Sequence, residues 1–174
     1  MAPKKFNCFS LFFLALVALL LAQSTTTEAR KFIGINPFCT TASHKKLCTK
    51  MVNGATNMHD ATQNAIQATL VLATKIQSLS RLIEPAIANL EPVSQESIRS
   101  TCKDSFENTI DDLETSLQAL KDNDQGTLLT HLSAATSSDC DDALTEFGVD
   151  NPLSKVSGIL AKEVDNCLAV VQQI

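Results

Sequence analysis

Three histidines, two runs of carboxylates and six cysteines are the residues that could do chemistry here. His44, His59 and His131 are dispersed, and none has a partner at ligand spacing. A zinc site needs clustered His and Cys ligands, so no metal site is expected. Asp111-Asp112 with Glu114, and Asp139 with Asp141-Asp142, have the composition of a general acid and base pair. Charge runs at helical spacing are ordinarily a solvated face, and neither run is read as catalytic. There is no Gly-x-Ser-x-Gly elbow and no glycine-rich phosphate loop, in a chain with five glycines. No catalytic residue and no cofactor is therefore expected. Beyond the first thirty residues the aromatic rings are Phe32, Phe38, Phe106 and Phe147, with no Trp or Tyr. A lectin-like platform needs exposed rings to stack on, so direct polysaccharide binding is not expected.

The cysteines carry more information once the compartment is known. Lys4 and Lys5 precede an unbroken apolar run, Leu11 to Ala22. That run is too short to span a bilayer, which takes roughly 20 apolar residues. A basic start, a short apolar middle and a small-residue exit make a secretory signal segment, read here as residues 1–29 with the exit after Ala29; Ser24 is the alternative exit. Its loss takes Lys4, Lys5 and Glu28 from totals of 14 basic and 19 acidic residues, leaving 12 against 18 and a net charge of −6. A chain of that sign has no electrostatic reason to bind nucleic acid or an anionic membrane, and is drawn to a basic partner. Cys39, Cys48, Cys102, Cys140 and Cys167 remain, in a secreted setting where disulfides persist. Five is odd, so at least one thiol is free or pairs between chains. No Asn-x-Ser/Thr sequon is present.

The elements that must position these cysteines are helices. Four segments carry an apolar helical period, and none alternates with period two. The first is expected over about residues 60–84, opened by an Asp60/Gln63 capping box and ended or kinked at Pro85. The second runs from about 94 to 121 through Ile98, Cys102, Phe106, Ile110 and Leu113. The third spans about 127 to 147, with Cys140 and Phe147 on its stripe and Gly148 as its stop. The fourth opens at Asn151-Pro152, an N-cap followed by proline at the first helical position, and carries Cys167 on its apolar stripe. Cys167 is accordingly expected to be a buried, inert thiol. Four amphipathic helices with short connections predict an all-α, up-down-up-down bundle over residues 60–174. Residues 30–59, too short for another full helix and its return, suit a small helical hairpin pinned by its own disulfide. With a reversal near Asp122, Cys102 and Cys140 fall roughly 30 Å and 27 Å from the turn at 1.5 Å per residue. A bond between them is allowed, and pairings that join the hairpin to the bundle remain open.

The order of these motifs resembles the plant invertase and pectin methylesterase inhibitor family. The likeness lies in the Cys39–Cys48 spacing, in Cys102-x-x-x-Phe106-x-x-Thr109-Ile110-x-x-Leu113, in Leu132-Ser133-Ala134-Ala135 before Cys140-Asp141-Asp142, and in Asn166-Cys167-Leu168-Ala169-Val170. The resemblance implies a four-helix bundle with an N-terminal hairpin, Cys39–Cys48 and Cys102–Cys140 disulfides, and a free Cys167. It also implies stoichiometric inhibition of a pectin methylesterase or an acid invertase, by a non-enzyme in the cell wall or vacuole. Ala42 and Lys45 stand where the family usually has threonine and proline, and Phe106 where it usually has tyrosine. Invertase-type members often carry Pro-Lys-Phe in the loop before the fourth cysteine. This chain has Asp124-Gln125-Gly126-Thr127 thereabouts, which tilts the expectation toward pectin methylesterase as partner.

Overall fold

A computed structural model describes residues 34–136 and 138–173. The expected signal segment, Phe32 and Cys8 lie outside the described residues. Every regular element among the described residues is helical. A 3₁₀ turn, Pro37–Cys39, leads into helix α1, Lys45–Met51; helix α2 covers Met58–Ser78. A second 3₁₀ turn, Ser80–Ile83, passes into the four-residue helix α3, Glu84–Ile87, and then into the long helix α4, Pro92–Lys121. Helices α5 (Gln125–Ala134), α6 (Asp139–Glu146) and α7 (Ser154–Val171) complete the chain. Helices α2, α4, the α5–α6 pair and α7 are the four staves of an up-down bundle, and α1 closes one end against α2 and α7.

Helix α2 forms because Ala61, Ala65, Ile66, Thr69, Ala73 and Ile76 recur three and four apart and are all buried. It starts before the expected capping box. Asn57 is the cap: its Oδ1 accepts from the Asp60 amide at 2.9 Å, and its Nδ2 donates to the Asp60 carboxylate at 2.8 Å. Asp60 is the third helical residue of a box read one turn too late. The helix ends at Ser78, before Pro85, which sits in the first turn of α3 where a missing N–H costs nothing. Pro92 likewise opens α4, two residues before the expected start.

The α4–α5 reversal is built from local chemistry. Asn123 takes φ 57°, and the amides of Asn123 and Asp124 donate to the Leu120 and Ala119 carbonyls. That is a Schellman close with asparagine in the left-handed position. The Asp124 carboxylate then caps α5, accepting from the Thr127 amide at 3.0 Å and the Thr127 hydroxyl at 2.6 Å. These bonds, the hydroxyl's above all, hold the Asp124 pKa below its usual value.

The third stave corrects the sequence expectation of one helix over 127–147. It breaks after Ala134 and restarts at Asp139: the Thr136 hydroxyl and amide both turn back to the Ser133 carbonyl, while the Ser138 hydroxyl donates to the Asp142 carboxylate and the Ser138 carbonyl accepts from the Asp142 amide, opening a new helix. Phe147, placed on the core stripe by periodicity, is 39% exposed and stands at the C-cap of α6, past its last helical residue. Gly148, at φ 68°, closes α6 by a second Schellman pair, Gly148 to Thr145 and Val149 to Leu144. Asn151 does not cap the last helix directly. Its Oδ1 accepts from the Leu153 amide in a turn, and α7 proper starts at Ser154.

The core has two parts. Near α1, the buried side chains of Ile66, Leu113, Leu128, Leu132, Val164 and Val170 fill the bundle. Toward the α3 end, Ile76, Ile87, Ile98, Phe106, Leu144 and Leu153 do so. Burying each such side chain contributes roughly 1.5–3 kcal/mol.

Candidate interaction surface

Two disulfides fix the frame. Cys39 and Cys48 join the 3₁₀ turn to α1 with Cα atoms 5.8 Å apart, and Cys102 and Cys140 join α4 to α6 at 4.2 Å. The hairpin is also tied to α7 by side chains. Asn166 accepts from the His44 amide and donates to the His44 carbonyl, each at 3.3 Å, and Gln173 donates to the Phe38 carbonyl at 3.0 Å. Cys167 is free and wholly buried. Its sulfur lies 3.3 Å from Thr69 Oγ1, whose own hydrogen goes to the Ala65 carbonyl, so the thiol is the donor. Burial pushes this thiol up to about 12, and nearby Glu163 adds to the rise.

Several of the residues that composition offered as chemistry have structural partners. Asp112 pairs with His131 Nδ1 at 2.7 Å, bracing α4 against α5. Asp139, Asp141 and Asp142 form the first turn of α6, where negative charge offsets the unpaired amides of a helix start. Asp141 accepts from Asn151 Nδ2 at 3.0 Å, which ties the α6 start to the entry of α7. Among the described residues no three His, Cys, Asp or Glu side chains gather as metal ligands.

What periodicity alone did not single out is the outer face of α4. Glu96, Asp104, Glu107, Asp111, Glu114 and Asp122 recur at helical spacing on the side opposite buried Cys102, Phe106, Leu113 and Leu120. At 1.5 Å per residue this carboxylate ridge is roughly 39 Å long. Lys103 pairs with Glu107 at 2.7 Å and Arg99 reaches Glu96 at 3.6 Å, while Asp111 and Glu114 enter no ion pair among the described residues. Arg99 also holds Glu84 of α3 through both carboxylate oxygens, at 2.9 and 2.8 Å, which fixes the ridge's first turns and lowers the Glu84 pKa. Exposed Val93 stands at the head of the ridge, and exposed Leu82 belongs to the 3₁₀ turn before α3.

This bundle with its pinned hairpin agrees with what the family resemblance implied, and direct comparison bears on the same point. The family model for plant invertase/pectin methylesterase inhibitor matches residues 34–170. The chain belongs to that family. Its structure is similar to that of mutant form A of a pectin methylesterase inhibitor from Arabidopsis, with a TM-score of 0.63 at 19% identity over 79% of this chain and 95% of that one. It is also similar to a pectin methylesterase inhibitor from Arabidopsis thaliana, with a TM-score of 0.54 at 19% identity over 79% and 93% of the two chains. At such identity the likeness establishes the all-helical fold. No curated protein matches the chain in sequence. Carboxylates of this chain serve in caps, in the Asp112–His131 brace and in a solvated ridge. The outer side of α4 presents a rigid, negatively charged helix face.

Proposed function

We propose that this protein is a secreted, non-catalytic inhibitor of pectin methylesterase, acting in the cell wall by laying a bundle face across the enzyme's substrate cleft. The observation that carries the choice of target is the α4–α5 connection. It is closed by Asn123 and Asp124 on the helix ends, and neither it nor the stretch before Cys140 contains the Pro-Lys-Phe run of many invertase-type members.

Occlusion needs area and stiffness. A stable footprint is about 800 Å² per partner, within reach of two adjacent staves. The Cys102–Cys140 bond and the Arg99–Glu84 pair hold α4 in place before binding, so little ordering entropy remains to be lost. The ridge supplies steering toward a basic enzyme. Titrating the purified protein against a pectin methylesterase and an acid invertase tests this reading. Stoichiometric loss of methylesterase activity with invertase untouched is expected; the reverse result assigns the invertase as target and sinks the choice made here.

A further inference from the structure

A second surface has the opposite character from the ridge. Where the hairpin meets α7, an open groove of about 480 Å³ is lined by Ile35, Ser43, His44, Lys45, Lys46, Leu47 and Lys162. Its lining contains no carboxylate, in a chain with more acidic than basic residues. Lys45, Lys46 and Lys162 are exposed and enter no ion pair among the described residues. Glu163 and Asp165, which follow Lys162 on α7, stay out of the lining. The walls are held in register by the Cys39–Cys48 bond, the two-way Asn166–His44 clamp and the Thr41 hydroxyl donating to the Ala169 carbonyl. Three like charges kept together without counter-charges on a braced frame repel one another, a cost that an anionic ligand would remove.

We propose that this groove binds a polyuronate, the carboxylate-bearing form of pectin, and so retains the inhibitor on de-esterified wall polymer. The proposal rests on the methylesterase reading, because that enzyme converts neutral methyl esters into these carboxylates. The donor set suits the ligand. Lysines are flexible point charges that match single carboxylates spaced along a polymer, whereas a planar bidentate site for one phosphate would call for arginine. No Phe, Tyr or Trp lines the groove, so recognition is by charge rather than by aromatic stacking on the sugar. This distinguishes it from the ring-stacking platform whose absence the sequence indicated. Ile35 and Leu47 supply an apolar floor for the sugar's C–H faces.

The test uses the whole secreted protein with no enzyme present, titrated with a fully de-esterified galacturonate oligomer, its methyl-esterified counterpart and a polyglutamate peptide. Binding of the de-esterified oligomer alone is expected, weakening as salt screens the charges. The triple variant Lys45→Gln/Lys46→Gln/Lys162→Gln should bind roughly tenfold more weakly, since each exposed ion pair is of modest worth. Its thermal unfolding and its methylesterase inhibition should match the parent, because these side chains are exposed and far from the α4 ridge in sequence. Three results overturn the proposal: unchanged binding by the triple variant, equal binding of the methyl-esterified oligomer, or polyglutamate binding as tight as the uronate. The last would assign the groove to an acidic protein. A protein that inhibits neither enzyme yet binds the oligomer through these lysines would lose the inhibitor reading and keep the groove.

Discussion

Glu163 is the residue whose environment is least comfortable. It is 9% exposed on α7, and its buried Oε2 makes no hydrogen bond within the described residues. Desolvation raises its pKa. The native state therefore holds a proton that the unfolded state releases, so stability is full below the ordinary glutamate pKa and falls as pH rises through the raised value. Glu163→Gln should flatten that part of the stability-versus-pH curve, and Glu163→Leu should raise stability above it by about 1–3 kcal/mol, the cost of an unsatisfied buried polar group. Chemical denaturation at a series of pH values checks both. A parent protein whose stability does not fall over that range contradicts the account. Cys167, four residues on, should label with a thiol reagent only as the protein unfolds, because a thiol pushed up to about 12 carries almost no thiolate at neutral pH. In Cys167→Ser the new hydroxyl can donate to Thr69 Oγ1, so its cost should lie at the low end of roughly 1–3 kcal/mol.

At the scale of elements, the Cys102–Cys140 bond and the α4 ridge make separate claims. Closing a loop of 38 residues is worth about 4 kcal/mol on the chain-entropy model. The bond also fastens the short helix α6 just past the break in the third stave. Replacing both cysteines with alanine should lower global stability by up to that amount. Amide exchange should rise first in α6, with α2 protected; uniform loss of protection would mean that the break is not a weak point. For the ridge, Asp111→Lys with Glu114→Lys should slow association with a basic methylesterase and leave the fold intact, since both side chains are exposed and outside any ion pair. Unaltered association kinetics would move the contact face elsewhere on the bundle.

For the whole molecule, charge sign sets how binding responds to conditions. The chain without its expected signal segment carries a net −6, and opposite net charges raise encounter rates. Because the Debye length shortens to about 8 Å at 0.15 M, added salt should slow association more than it speeds dissociation. Stopped-flow rates from low to high salt measure this. A flat association rate would leave occlusion standing and remove steering from it. The molecule is also electrically divided, with carboxylates along α4 and unpaired lysines between the hairpin and α7. The proposed wall contact and the proposed enzyme contact therefore use different faces and opposite signs.

The sequence alone determined the helices, because a helix is a local object whose apolar period, caps and prolines lie within a few residues of one another. Leu113 and Cys167 read as core from spacing, and both are fully buried. Gly148 read as a stop and is one. What the sequence misplaced were events decided by competition between neighbours. The third stave breaks where the Thr136 hydroxyl and amide share the Ser133 carbonyl and Ser138 opens a new helix, and Phe147 ends up exposed at that helix's C-cap. The tertiary structure alone decided which charges stand together. Lys45 and Lys162 are 117 positions apart, and only the docking of the hairpin on α7 through Asn166 brings them to one groove. The middle of the ridge, Asp104 to Glu114, was written in the sequence at spacings of three and four. It became a surface once burial showed that the opposite side of α4 faces the core.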